Sequence, residues 1–231
     1  YRAFYQCSSC NHITAFHRFK IYDIYKKDYL NLTYQDENGI EKRFKYITNL
    51  PFKKSDNKNR ALRISNFFKK KKISLLDVGS GTGVFLHEMK KLNHNVRGLE
   101  LDKRYSKFLK KKKIKVFTKE LKKFKTIKKF DLLTFNKVLE HVYDPLEMLK
   151  NCKRLLKQNG ILYIELPEGD RIVDNDMIEN RAEFAVEHFS IYNKKSIHYL
   201  IKSSKFKILK SEIITDPSGK NTIYAFAKKN N

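Results

Sequence analysis

The chain has 231 residues, 41% of them hydrophobic with 17 Phe and 13 Tyr, which suits one main domain with a sizeable core and a small appendage. Lys and Arg number 50 against 25 Asp and Glu, a formal net charge of +25, yet no apolar run approaches the ~20 residues of a membrane span. Three cysteines argue against a disulfide framework and no secretory signal is visible, although the chain starts at Tyr1 without Met, so a reducing, cytoplasmic setting is the simplest expectation.

Residues 1–50 read as an N-terminal appendage. The stretch Tyr1 to Tyr34 is aromatic-rich without a single period, and "DENG" (Asp36 to Gly39) is a turn signal between strand-like runs, so a hairpin or flap is expected. Within it "CSSC" (Cys7 to Cys10) is a lone C-x-x-C with His12 and His17 nearby. One reading makes it half of a zinc knuckle whose other pair precedes Tyr1. The other leaves two ordinary thiols, and no metal ligands are assigned. Residues 51–231 form the main unit. "LPFKKSDNKNR" (Leu50 to Arg60) is a polar connector, and Ala61 to Phe68 looks helical.

Ile73 to Val78 is a short apolar run that suits a buried strand, and "DVGSGTG" (Asp77 to Gly83) follows. Glycines there tolerate positive φ and close backbone approach. Val84, Phe85, Met89 and Leu92 then recur at helical spacing. A strand, a bare turn and a helix in this order aim unpaired helix N–H groups at whatever lies above them. The third glycine of a dinucleotide fingerprint is missing, since Val84 stands in its place, and the Lys of a phosphate loop is absent too. Asn95 to Leu101 is the next strand and carries Glu100 at its end. Phe130 to Phe135 is another, with Asn136 after it. Asp144, Pro145 and Glu147 give an N-cap, a first-turn proline and a reciprocal acid. The helix they start is expected to end at Asn159-Gly160, before a strand over Ile161 to Leu166. Residues 168–190 read as an irregular insertion over the active site. Asn193 begins a helix through about Ser203, and Phe206 to Ile214 and Thr222 to Ala227 alternate as strands about "DPSG".

The run D-x-G-x-G-x-G at Asp77 to Gly83 resembles motif I of the class I S-adenosylmethionine-dependent methyltransferases. "FDLLTFNKVLEHVYDP" (Phe130 to Pro145) resembles the central segment of their small-molecule branch, the ubiquinone-type and sugar-modifying enzymes. Together the two cover about Ile73 to Pro167. The resemblance implies an α/β fold, a doubly wound, mostly parallel, seven-stranded Rossmann-like sheet with one antiparallel strand. It implies S-adenosylmethionine as cofactor and a small-molecule acceptor. Asp77 would organise the turn of Gly79, Ser80, Gly81 and Gly83 and the methionine amino end. Glu100, with Leu101 beside it, would take the ribose, and Glu120 and Leu121 the adenine. Asn136 stands at the neighbouring strand end. Arg60 stands where related enzymes hold the methionine carboxylate, and a solvated linker arginine is the competing reading.

"EHFSIYNKKSI" (Glu187 to Ile197) resembles the E-H-x-S segment of sugar C-methyltransferases, whose Glu and His line the active site. Here these are Glu187 and His188. Ala185 stands where that family usually has tyrosine. His188 and His141 are the two candidate bases, since imidazole titrates near neutral pH. The expected reaction is methyl transfer to a sugar, nucleotide-sugar or related metabolite. The alternative is an RNA methyltransferase using the basic surface. Lysine runs at helix ends and sparse arginine favour the first, as does a fourth-strand end reading "TFNKVLEH".

Overall fold

A computed structural model of the chain describes residues 2–17, 37–169 and 184–229. Its centre is a seven-stranded sheet of order β5-β4-β3-β6-β7-β10-β9. The strands are β3 (Ser74–Val78), β4 (Asn95–Leu99), β5 (Lys115–Phe117), β6 (Phe130–Asn136), β7 (Leu156–Pro167), β9 (Phe206–Thr215) and β10 (Asn221–Lys229). Strands β3 to β7 run parallel, and β10 is antiparallel to both β7 and β9. This is the mostly parallel, Rossmann-like arrangement with one reversed strand that the resemblance implied. Chain order runs outward from β3 to β5 and then returns to place β6 beside β3. Between β3 and β6 the order reverses, and such a switch point opens a crevice at the strand carboxyl ends.

Both sheet faces are covered. Leu75 and Leu132 point to one face, where they pack with Ile40, Ile64, Phe85 and Leu109. Leu76 and Leu133 point to the other, with Leu149, Ile164 and Ile197. Alternation along buried parallel strands therefore builds two cores from near-continuous apolar runs. The first face carries α1 (Glu37–Asn49), α2 (Asp56–Phe67), α3 (Val84–Lys91) and α4 (Lys103–Lys111), and the second carries α5 (Pro145–Cys152) and α6 (Lys194–Ser203).

Three local expectations are corrected. Glu37, Asn38 and Gly39 of "DENG" open α1 instead of turning a hairpin, because Ile40 and Phe44, one turn apart, reach the first core. The polar connector already contains α2, which Ser55 caps by accepting from the Lys58 amide at 3.3 Å, so Arg60 is helical. Helix α5 stops at Cys152, seven residues short of Asn159. The Arg154 guanidinium donates to the carbonyls of Phe124 and Leu121, both at 2.7 Å, and so pins the chain across the sheet edge. Strand β7 then starts at Leu156 and absorbs Asn159 and Gly160, where an added Cβ would lie 2.8 Å from that of Leu156.

A second, three-stranded sheet joins β1 (Arg2–Gln6) and β2 (Ile13–His17) to β8 (Ser190–Ile191). The N-terminal hairpin is thus tied to the segment that carries His188. Arg2 donates to the carbonyls of Phe184 (2.6 Å) and His188 (3.2 Å), and the Ala15 amide donates to the Phe189 carbonyl at 2.9 Å. Most of the insertion expected over 168–190 lies outside the described residues.

Candidate active site

Asp77 ends β3 opposite Thr134 of β6, and it is 2% exposed. Thr134 Oγ1 donates to its Oδ1 at 2.6 Å and Asn136 Nδ2 to the same oxygen at 2.8 Å. Burial pushes its carboxyl up to about 7, against the opposing effects of Thr134, Arg60 and Asn136. The turn that follows holds Gly79 at φ +72° and Gly81 at φ +50°. A Cβ on Gly79 would meet Val138 Cγ2 at 2.8 Å, whereas one on Gly81 would meet nothing within 4 Å. The backbone at Gly81 therefore faces open space that a ligand can approach closely. Gly83 is the left-handed N-cap of α3, and Ser80 Oγ is buried without a partner.

Glu100 follows β4 and reaches back under this turn. Its Oε2 accepts from the Gly81 amide at 2.7 Å and its Oε1 from the Asp102 amide at 3.0 Å. Burial raises its pKa, against those backbone bonds. Each oxygen has a second lone pair, so the fixed carboxylate keeps capacity for two hydroxyl donors. Beyond it a cavity of about 390 Å³ is lined by Leu101, Thr118, Lys119, Glu120 and Lys123. Leu121, expected beside Glu120 in that wall, is 6% exposed and packs in the core.

Arg60 is 6% exposed and its guanidinium meets Glu165 of β7. Its Nε and Nη2 both donate to Glu165 Oε1, and its Nη1 donates to Asn57. Arg63 and the Tyr163 hydroxyl take the other Glu165 oxygen at 3.1 and 2.5 Å. Burial works to raise the Glu165 pKa, but Arg60 outweighs it and brings the carboxyl down to about 2. Arg60 is thus turned to a carboxylate of the chain, not to the cavity, though its charge still lowers the pKa of nearby Asp77.

The second half of the site follows β6. Leu139–His141 is a single 3₁₀ turn that carries Glu140 and His141. The His141 and His188 rings meet edge to face at 4.6 Å, and one ligand atom each from Glu140, His141 and His188 lies within 4.8 Å of the others. The Phe189 amide donates to the Glu140 carbonyl at 2.8 Å, and His141 Nδ1 lies 3.3 Å from the Glu187 carbonyl. Glu140 is 2% exposed and its Oε2 has no hydrogen-bond partner among the described residues. Burial pushes its carboxyl up to about 8, and burial followed by the His188 charge pushes His141 down to about 4. Burial thus favours the neutral form of both the Glu140 carboxyl and the His141 ring. The two histidines singled out in sequence thus come together. The acid beside them is Glu140, which the sequence reading passed over although it immediately precedes His141. Glu187 presents its carbonyl here, and burial lowers the pKa of Arg2 against the opposing charge of Glu187. This trio is also a set of atoms able to hold a metal ion. Among the described residues no such set includes Cys7 or Cys10.

Residues 46–211 match the model of the methyltransferase domain family. The chain is 37% identical over 100 residues to the ubiquinone biosynthesis O-methyltransferase of Pelagibacter ubique, covering 41% of this chain and 42% of that protein. It is 31% identical over 142 residues to the mitochondrial ubiquinone biosynthesis O-methyltransferase of Saccharomyces cerevisiae, covering 56% and 46%. It therefore spans less than half the length of these curated relatives. Among solved structures, the 1,6-didemethyltoxoflavin-N1-methyltransferase of Burkholderia thailandensis superposes with a TM-score of 0.68 over 98% of this chain and 99% of that one. At 12% identity this likeness shows the fold alone. With the family match covering most of its length, on a sheet of this order and a glycine turn held between Asp77 and Glu100, the chain belongs to the methyltransferase domain family.

Proposed function

We propose that the chain methylates a hydroxyl group of a small polar acceptor, a sugar, nucleotide-sugar or related metabolite, with His188 as the proton acceptor. The observation that carries this reading is the buried Glu140–His141–His188 cluster beside the Asp77–Gly83 turn. The residues present fit the cofactor. Gly81 leaves open space, Ser80 Oγ and Asn136 Oδ1 are buried polar atoms without partners, and Glu100 is anchored with acceptor capacity to spare. Asp77 and Asn136 would hold its amino-acid end, Glu100 its ribose, and the cavity beside Leu101 and Glu120 its base. S-adenosylmethionine, once bound, supplies an activated methyl group on a sulfonium.

The chain's own work is positioning and proton removal. His188 takes the hydroxyl proton on a ring nitrogen and leaves the O–H electron pair on the acceptor oxygen, which would displace the neutral sulfide from the methyl carbon. His141, held near pKa 4, is too weak a base at neutral pH and walls the pocket instead. Protonated Glu140 adds no negative charge beside the acceptor. It can donate its proton to a lone pair nearby, which fixes the orientation of the partner.

A panel of nucleotide sugars incubated with the protein and S-adenosylmethionine tests this by release of S-adenosylhomocysteine. Turnover on at least one of them, reduced in His188→Asn, is expected. Turnover confined to ubiquinone-biosynthesis intermediates would replace the sugar acceptor by the one named for the curated relatives. That second reading is favoured by the 37% identical stretch.

A further inference from the structure

The lysines are not spread evenly over the fold. Strands β3 to β7 start at one edge of the sheet, and α2, α3, α4 and α6 end there. The connecting turns at that edge hold four consecutive lysines at 69–72, two at 90–91, four at 110–113 and two at 128–129. All of these are exposed except Lys112, which is half-buried. Strand pairing brings in more, because Lys207 of β9 stands opposite Lys228 of β10, and Lys228 opposite Ile161 of β7, which pairs with Leu132 near the start of β6. The Lys90 ammonium donates to the Lys113 carbonyl, so two of these turns touch.

Helix dipoles favour cations in a last helical turn. They do not explain Lys69, Lys70, Lys113 and Lys205. These four lie just past helix ends at φ between +52° and +59°, in the left-handed region where glycine is preferred and a side chain costs about 1 kcal/mol. Nor do acids neutralise the first of the two four-lysine runs, since Lys69 to Lys72 make no ion pair among the described residues. Two aliphatic side chains project from the same turns. Ile127, 95% exposed, directly precedes Lys128, and Leu92, 40% exposed, directly follows Lys91. None of the exposed aromatic side chains sits in these turns, and the Arg154 guanidinium is occupied by backbone carbonyls. Single-strand nucleic-acid grooves add aromatic stacking platforms to their basic charge, whereas interfacial lipid binding sets Lys and Arg charge beside exposed apolar side chains.

The opposite edge carries Asp77, Glu100 and Asn136, a strand length or ~17 Å away. A polyanion on the lysine edge therefore does not present itself to the methyl-transfer site. We propose that this edge is a docking face for an anionic lipid surface, met by the lysines of the turns and by Ile127 and Leu92, with the cofactor end turned toward water.

Cosedimentation with vesicles of phosphatidylglycerol in phosphatidylcholine tests it on the full chain. Binding is expected at low salt and is expected to weaken as salt rises, with none to phosphatidylcholine alone. The combined Lys69→Gln, Lys70→Gln, Lys71→Gln, Lys72→Gln variant removes four charges at ~1 kcal/mol each, so vesicle affinity should fall by up to ~10³-fold. Ile127→Ser should weaken binding further. Both variants should titrate with S-adenosylhomocysteine as the unaltered chain does, which shows that they are folded. No binding to anionic vesicles, or binding indifferent to the four lysines, would overturn the proposal. So would tighter binding to single-stranded polyuridylate than to the vesicles.

Discussion

His188 is 7% exposed and its ring lies against His141. If it receives the acceptor proton, His188→Asn should lower turnover by ~10²–10⁴ and leave cofactor affinity intact. His141→Asn should perturb binding at least as much as turnover. Titration of S-adenosylhomocysteine alongside initial rates separates the two roles, and an unchanged rate in His188→Asn would show that His188 is not the base. Glu140 adds a stability signature. Its folded pKa of about 8 lies above the usual carboxyl value, so the folded chain binds the extra proton. The contribution is fully present below the unfolded pKa and is lost as pH rises toward 8. Glu140→Gln should therefore flatten the fall in melting temperature across that window, as a pH series of thermal melts would record. Glu165 acts with opposite sign. Its pKa of about 2 makes its contribution present above the ordinary carboxyl value and lost on acidification toward 2.

At the level of elements, the three-stranded sheet decides how well the histidine segment is held. Arg2 spans the carbonyls of Phe184 and His188, and Phe189 is shared between Ala15 on one side and Glu140 on the other. Arg2→Met should speed hydrogen exchange at the Ala15 and Phe189 amides and lower turnover without changing cofactor affinity. Equal exchange in both proteins would show that the hairpin does not restrain the segment. Several elements were legible because their signals are local. The strand, glycine turn and helix from Ser74 to Lys91 need only neighbouring residues. So does the start of α5, where Asp144 accepts from the Glu147 amide at 2.8 Å. What failed depends on distant partners. The α5 terminus is set by Arg154 reaching back to Leu121 and Phe124, which outweighs the turn signal of Asn159-Gly160. The pairing of Arg60 with Glu165 bridges 105 residues, and no spacing rule in the sequence announces it. Glu140 was hidden for the same reason, since its histidine partner arrives from the far side of β7 through the Phe189 bond to its carbonyl.

On the scale of the whole molecule, the four-lysine runs lie at one end of the parallel strands, although Lys119 and Lys123 line the cavity at the other. The carboxyl ends of β3, β4 and β6 hold Asp77, Glu100 and Asn136, while the amino ends gather the lysine runs. Lysine runs at 69–72, 90–91, 110–113 and 128–129 thus contribute to the formal charge of +25 at the end of the strands away from Asp77. No helix among the described residues is long and apolar enough to cross a membrane. Every step of the account requires the cofactor at the glycine turn, and calorimetric titration with S-adenosylhomocysteine, set beside NADH, measures that directly. The account predicts one site of micromolar affinity for S-adenosylhomocysteine, no binding of NADH, and no binding of either by Gly81→Val, whose side chain would fill the open space above the turn at φ +50°. Absence of binding by the unaltered chain, or undiminished affinity in Gly81→Val, would contradict it.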